Sequence, residues 1–348
     1  MILSNQGVFK YDGQQIKQLT EKVFSSVTLS QDQKIWLHSN EENHLYTFGK
    51  KQMLVPKEEA KINSQSWLML VENNNFWFGS FNYGLSRLSN KLISNFDKHR
   101  GALEKLQATG NGSHIDQLRL RPPLPRPPRL ICMAVNYMED PSVTERPPIN
   151  AFNKSSSSVI GHGDTVVLPS NKDTIIEHEA ELALVIGKES KLVRSDNSRD
   201  HIFGYLNFID VSCRGTGPNG KDSFFIGKSW DTFGPMGPVL VTADEVEDAD
   251  SLQVKLSVQG ELRQNYNTCD MAHKIPEVIE WVSWVNTLEP GDVISCGTNH
   301  LELGPLQDGD KVEMEISDFG KLVVNVSDDL KRTWPRETRA QRDARLNS

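Results

Sequence analysis

The chain has 348 residues, with 38 lysines and arginines against 46 aspartates and glutamates, for a formal net charge of −8. That balance excludes nucleic acid as the main partner, because phosphate binding needs a basic surface, but it leaves room for a small anion in a locally positive pocket. Hydrophobic residues make up 37% and charged residues 24%, an ordinary globular composition, and the length suggests two domains.

Cys132, Cys213, Cys269 and Cys296 are spread singly along the chain, with no Cys-x-x-Cys pair. A zinc ribbon or thioredoxin-type site is therefore unsupported, and reduced core thiols are expected. The opening "MILSNQGVFKYDG" lacks a basic stretch followed by an apolar run, and no segment reaches the length of a membrane span. A cytoplasmic protein is the expectation.

Residues 1–100 are rich in short aromatic segments: "GVFKYDG", "KIWLHSNEENHLYTFG" and "NFWFGSFNYGLSRLSN". Each joins a strand-like run to a turn containing Asn or Gly. The second and third repeat at roughly 40 residues, a spacing similar to the propeller repeats of sensory regulators. Too few blades are present to close a ring, so a small β-rich meander is the expected structure.

Residues 101–129 read as a linker: a short helical piece, a Gly/Asn/Ser loop, then the stiff Pro-rich "RPPLPRPPRL" that leads into "LICMAV". That position favours a structural entry segment over an SH3-type ligand. Residues 130–334 form the main domain. Its segments "DTVVLP", "EAELALVIG", "GYLNFIDVSC", "GPVLVT", "LQVKLSVQG", "GDVISCG", "KVEMEIS" and "KLVVNVS" are β-branched-rich and bounded by turn residues. One helix is predicted over 274–288, with Pro276 in its first turn and Ile275, Val278, Ile279 and Val282 at helical spacing. The expected fold class is mainly β with few helices. No β-α alternation and no Gly-rich phosphate loop is present.

In "EHEAELALVIG", Glu177, Glu179 and Glu181 share one strand face, while His178, Ala180 and Leu182 share the other. An edge strand whose first half meets water explains this pattern without any ligand. A hard-oxygen site for Mg2+, Mn2+ or Ca2+ explains it as well, with Asp210 after an apolar strand as third acid and Arg214 as a nearby positive charge.

Five segments in order, "EHEAELALVIGK", "GYLNFIDVSCRG", "GKSWDTFGPMGPVLVT", "TLEPGDVISCGT" and "LQDGDKVEMEISDFGKL", carry a resemblance to the fumarylacetoacetate hydrolase superfamily across residues 118–334. The resemblance implies a mixed β-sandwich roll around a divalent cation, Mg2+ or Mn2+ with Ca2+ as an alternative, in a homodimer. Carried over residue by residue, it implies Glu179, Glu181 and Asp210 as metal ligands, with Glu177 flanking them. Lys228 would contact substrate near the metal, and Arg214 and Thr298 would bind substrate oxygens.

Members of the superfamily act on 2-oxo acids and 1,3-dicarbonyl compounds, where the cation stabilises an enolate. The expected activity is metal-dependent C–C hydrolysis of acylpyruvate-like substrates. A decarboxylase, a hydratase or isomerase, and a non-catalytic oxo-acid binder are the alternatives. Acylpyruvate-cleaving relatives carry a lid with His three residues beyond an Asn-Tyr pair and Glu three further on. This chain has Asp140 and Val143 there, with Pro141 between them, where it would interrupt a lid helix, and Glu145 beyond. The base is therefore open among Glu139, Asp140, Glu145 and His300, the last in the unusual "GTNHLELGPL". The basic tail 335–348, with Arg336, Arg339, Arg342 and Arg345, is expected to be frayed and solvated.

Overall fold

The computed structural model describes residues 93–98, 100–101 and 120–346 with their side chains, apart from 140, 141, 143, 172, 173, 218–220 and 222, and strands within residues 1–90 as backbone. The chain divides into two compact units, Met1–Leu88 and Ser89–Ser348. The first holds β1 (Ile2–Ser4), β2 (Gly7–Tyr11) and β3 (Ile16–Thr20) in one sheet. A second sheet holds β4 (Ser26–Leu29), β5 (Ile35–Ser39), β6 (His44–Thr47) and β7 (Lys50–Met53), and a third holds β8 (Leu68–Glu72) and β9 (Asn75–Gly79). Within each sheet every strand pairs antiparallel with its chain neighbour.

The second unit is built on a mixed seven-stranded sheet. Its members are β10 (Leu130–Met133), β11 (Ala151–Asn153), β12 (Val159–Ile160), β15 (Ala180–Ile186), β16 (Ile202–Ile209), β18 (Gly234–Thr242) and β21 (Val293–Ser295), in the order β11-β10-β21-β15-β16-β18-β12. A five-stranded sheet, ordered β13-β23-β22-β19-β20, contains β13 (Thr165–Val167), β19 (Gln253–Val258), β20 (Glu261–Asn267), β22 (Lys311–Ile316) and β23 (Lys321–Ser327). A small ladder pairs β14 (Ile176–Glu177) with β17 (Ser212–Cys213). The fold is mainly β with few helices, as the strand-dominated sequence requires.

Strand β15 sits in the middle of its sheet, and all seven of its residues are buried. Leu182, Leu184 and Ile186 enter the larger core with Val254, Leu256 and Met314 of the second sheet. Ala183 and Val185 enter a smaller core with Leu206, Phe208 and Met236. The alternation of faces thus holds, but both faces are inside, so the water-facing edge strand is ruled out for this segment. The Pro-rich entry belongs to the same unit, where Leu124 and Leu130 are buried in the smaller core.

The predicted helix forms over Ile275–Val285. Pro276 lies in its first turn, and the Glu277 carboxylate accepts from the Lys274 backbone N–H at 3.1 Å. Ile275, Val278, Ile279 and Val282 are buried on one face. Removing an aliphatic side chain of this size from water stabilises by about 1.5–3 kcal/mol, so packing more than helix propensity holds the segment in place.

Three features depart from the sequence reading. Strand β20, "ELRQNYN", is too polar to announce itself, because Gln264 and Tyr266 are the residues it turns inward while Leu262 stays 53% exposed. Cys269 is exposed, whereas the other three cysteines are buried as expected. The tail is not a frayed, solvated segment: Arg339–Leu346 is helical, and Arg336 pairs with buried Asp310 at 2.6 Å. No helix among the described residues is long and apolar enough to cross a membrane.

Candidate metal centre

Pairing of β15 with β16 aligns Ala180 with Ile209, and the Asp210 N–H continues the ladder by donating to the Glu179 carbonyl at 2.8 Å. This register sets Glu179 beside Asp210, with Glu181 two residues along the same face. One carboxylate oxygen from each lies within 4.8 Å of the others, and all three residues are buried. Like charges this close in a weakly screened interior repel strongly.

Cations answer most of that repulsion. Lys228 Nζ donates to Glu179 Oε2 and to Asp210 Oδ2, both at 2.7 Å. Lys154 Nζ donates to Asp210 Oδ1 at 2.6 Å. Arg214 donates to Glu177 Oε2 at 2.9 Å and to Glu179 Oε1. Burial alone would raise the Glu179 carboxyl, but the Lys228 ammonium and the Arg214 guanidinium hold it far below the usual carboxylate range.

Glu181 is different. Its carboxylate accepts from Ser295 Oγ and, at 3.2 Å, from the Gly297 N–H, and among the described residues no cation pairs with it. Burial, reinforced by the charges of Asp210 and Glu179, pushes its carboxyl well above the ordinary value. A divalent cation among the three acids would supply the charge that Glu181 lacks, and three carboxylates are hard donors of the kind Mg2+ and Mn2+ prefer. The residues fit such an ion.

The acids open into a cavity of about 480 Å³ whose lining includes Glu179, Glu181, Lys228, Thr298, His300 and Arg339. Phe152 and Phe224 stack at 4.6 Å along one wall, and Lys228 Nζ lies 5.4 Å from the Phe152 ring centre. Gly297 has φ +85, and a Cβ there would meet the Asn136 Cβ at 3.1 Å. Only glycine can take this conformation so close to Asn136 and still aim its N–H at Glu181. Asn136 is itself fixed, accepting from the His273 N–H at 2.9 Å and donating to the Cys296 carbonyl at 2.9 Å.

The expected residues separate as follows. Glu179, Glu181, Asp210, Lys228 and Arg214 converge, and Thr298 lies buried in the lining with Gln264 Nε2 donating to its Oγ1 at 2.8 Å. His300 also lines the cavity. Its Nδ1 lies 2.5 Å from Glu139 Oε1, which accepts the His300 N–H at 2.7 Å. Burial opposes ionisation of Glu139, yet the bonds to His300 hold its carboxyl below the ordinary value.

Glu145 is not brought to the cavity. It is exposed, and its neighbour Arg146 pairs with Glu277, 2.9 Å away, and donates to the Ala272 carbonyl at 3.0 Å. Asp140, with Pro141 and Val143, lies outside the described residues. His178 points away as its parity requires, with Nδ1 2.8 Å from Gln264 Oε1, and burial pushes it down to about 4.

Sequence reasoning missed Lys154, Gln264, Ser295, Arg339 and Arg342. Lys154 closes a short apolar strand and Ser295 ends another, positions that carry no distinctive pattern. Arg342 Nη1 donates to Glu177 Oε1 at 3.0 Å, a bond spanning 165 positions of sequence that no periodicity can announce.

Comparison with known proteins adds four observations. The model of the fumarylacetoacetate hydrolase C-terminal domain matches residues 129–327. Oxaloacetate tautomerase YisK of Bacillus subtilis is 37% identical over 222 residues, 60% of this chain and 73% of that protein. The mitochondrial oxaloacetate tautomerase FAHD2B of Bos taurus is 37% identical over 59% of this chain and 68% of its own length. Among solved structures, maleylpyruvate hydrolase from Sphingobium sp. SYK-6, in complex with manganese(II) ion and pyruvate, superimposes with a TM-score of 0.62. It is 32% identical, over 75% of this chain and 95% of that one.

Proposed function

The chain belongs to the fumarylacetoacetate hydrolase family, and from that premise we propose that it is a divalent-metal-dependent enzyme that interconverts the keto and enol forms of a 2-oxo acid of the oxaloacetate type. The observation that carries this reading is one cavity lined both by Glu179 and Glu181, whose carboxylates cluster with that of Asp210, and by the His300–Glu139 pair. The relatives named oxaloacetate tautomerases support the choice of reaction.

Glu179, Glu181 and Asp210 would hold Mg2+ or Mn2+, which would supply Lewis-acid polarisation of the substrate's oxo group. The protein's own residues do the rest. Lys228 presents an ammonium at the same point of the cavity, where developing negative charge on oxygen is stabilised in a partly dry setting. Thr298, held by Gln264, keeps its hydroxyl at the cavity wall to orient the substrate. His300 takes the proton from the carbon next to the oxo group and returns it to oxygen in the enol, while Glu139 holds the imidazole ring in place. The reverse direction uses the same groups in reverse order. No water need be activated, so the histidine and glutamate of a lid are not required.

Hydrolysis of a C–C bond in an acylpyruvate remains the second reading, favoured by the likeness to maleylpyruvate hydrolase. It uses the same enolate stabilisation and adds an activated water. The test is to follow the decay of enol oxaloacetate and the cleavage of acetylpyruvate and fumarylpyruvate, each with Mn2+ and with excess chelator. Metal-dependent acceleration of the enol decay alone supports the tautomerase. Cleavage of an acylpyruvate supports the hydrolase. Oxalate binding without any turnover would leave a non-catalytic oxo-acid binder.

A further inference from the structure

We propose that the C-terminal helix Arg339–Leu346 is a wall of the candidate active site and that Arg339 is its specificity residue, which binds the distal carboxylate of a dicarboxylic 2-oxo acid. This rests on the reading above that the chelating end of a 2-oxo acid sits at the three buried acids.

The helix is tied down at both ends of its first turns. The Arg339 N–H donates to the Leu303 carbonyl at 2.7 Å and the Ala340 N–H to the Leu301 carbonyl at 3.0 Å. Arg345 pairs with Glu337 at 2.6 Å, which braces the helix against the segment before it. On the inner side Arg342 reaches the fully buried carboxylate of Glu177, whose other oxygen accepts from Arg214. These contacts put Arg339 and Asp343, one turn apart, into the lining of the same cavity as Glu179 and Glu181.

What separates Arg339 from the other cavity cations is that no hydrogen bond or ion pair among the described residues holds its guanidinium; its charge acts on Glu139 only through space, helping to hold that carboxyl down. Lys228 is engaged by Glu179 and Asp210, and Arg214 by Glu177 and Glu179. Among the described residues the Arg339 guanidinium has no carboxylate or hydrogen-bond partner, although Glu139 and Asp343 stand in the same lining. Glu139 is taken by His300, and the Asp343 side chain is 58% exposed, in the solvent beside Arg342. A guanidinium that lines a cavity with its donors held by no hydrogen bond or ion pair is a receptor for an anion.

Charge arithmetic gives that anion its place. The buried acids Glu177, Glu179, Glu181 and Asp210 are met by Arg214, Lys228, Lys154 and Arg342, so the set is formally balanced. A divalent cation adds two positive charges, which the carboxylate and enolate oxygens of a 2-oxo acid offset. A second carboxylate at the far end of the substrate would then need a further cation, and Arg339 is the one the cavity holds in reserve. A guanidinium suits the task, because its planar fork accepts a carboxylate through two parallel hydrogen bonds.

The test compares oxaloacetate with 2-oxobutanoate, which carries a methyl group in place of the distal carboxylate. Both displace oxalate, the chelating end alone, from the Mn2+-loaded full-length chain, with binding read by calorimetric competition. In the unaltered protein oxaloacetate should be preferred. Arg339→Ala should reduce that preference by about 10- to 100-fold, leaving the affinities for oxalate and 2-oxobutanoate unchanged, and Arg339→Lys should restore part of it. Leu346→Ala, 68% exposed at the end of the same helix, should change none of the three. If Arg339→Ala keeps the full preference, or weakens oxalate binding equally, the proposal is overturned while the metal-site reading stands. If the unaltered chain with Mn2+ binds no oxalate, the reading beneath the proposal falls, and the proposal with it.

Discussion

Arg342 and Glu177 form an ion pair of 3.0 Å in which the carboxylate is fully buried and the arginine comes from the last helix of the chain. The other oxygen of Glu177 holds Arg214, and Arg214 holds Glu179. A candidate metal ligand is thereby linked through two side chains to the C-terminal helix. Glu177, the acid in the "EHEAE" run that faces no metal position, is the junction of that chain. Its carboxyl would be raised by burial, but Arg214 and then Arg342 hold it below the ordinary value.

Arg342→Ala should therefore destabilise the protein although it lies near the end of the chain. The variant leaves a buried carboxylate with one charged partner instead of two, at a cost of about 1–3 kcal/mol. Equilibrium unfolding in urea should show a lower midpoint with an unchanged slope. An unaltered midpoint would mean that water replaces the guanidinium at no cost.

The two glutamates of the site predict opposite pH behaviour in the metal-free protein. The Glu181 carboxyl is raised from 4.5, so its favourable protonated form stabilises the fold below that pH, and the contribution is lost as pH climbs through the raised folded value. The Glu179 carboxyl is depressed, so its contribution is present above 4.5 and is lost only as pH falls through the folded value, deep in the acid range. Glu181→Gln should flatten the upper limb in thermal unfolding without metal and should lower Mn2+ affinity by about 10-fold or more. Mn2+ affinity of the unaltered protein should rise with pH, because binding displaces the Glu181 proton. A pH-independent affinity would remove Glu181 from the ligand set.

The His300–Glu139 pair makes a separable prediction. His300→Ala should lower kcat by about 10²- to 10⁴-fold while Mn2+ affinity stays unchanged, since neither residue touches the three acids. Glu139→Gln should give a smaller loss, because the imidazole keeps a hydrogen-bonding neighbour but loses the carboxylate that orients it. Full activity in His300→Ala would transfer the proton-handling role to another group.

Much of the strand framework was legible in the sequence, and the reasons are local. Glu179 and Glu181 stand out through their two-residue spacing, and Asp210 through being an acid at the end of an apolar strand. The roles of Lys228, Arg214 and Thr298 came by resemblance to a family. What stayed hidden depends on pairings distant in the chain. Lys154 meets Asp210 across 56 positions and Gln264 meets the Ala180 N–H across 84. Strand β20 gave no strand signal because its inward residues, Gln264 and Tyr266, serve polar partners. The tail looked solvated because its arginines find buried carboxylates far upstream: Arg336 with Asp310 and Arg342 with Glu177.

Removal of residues 1–88 tests how far the site depends on the first unit. Every side chain assigned to the candidate metal centre lies within Ser89–Ser348, and the family match spans 129–327. Among the described residues, the larger and smaller cores are built from residue 93 onward, so the second unit has a buried apolar interior of its own. The truncated chain should fold cooperatively and bind Mn2+ and oxalate with affinities equal to those of the full chain. Retained folding with lost affinity would give the first unit a direct part in the site. Loss of cooperative unfolding would make it a structural partner, and the division at Leu88 would then mark a turn in the chain and not a boundary between independent domains.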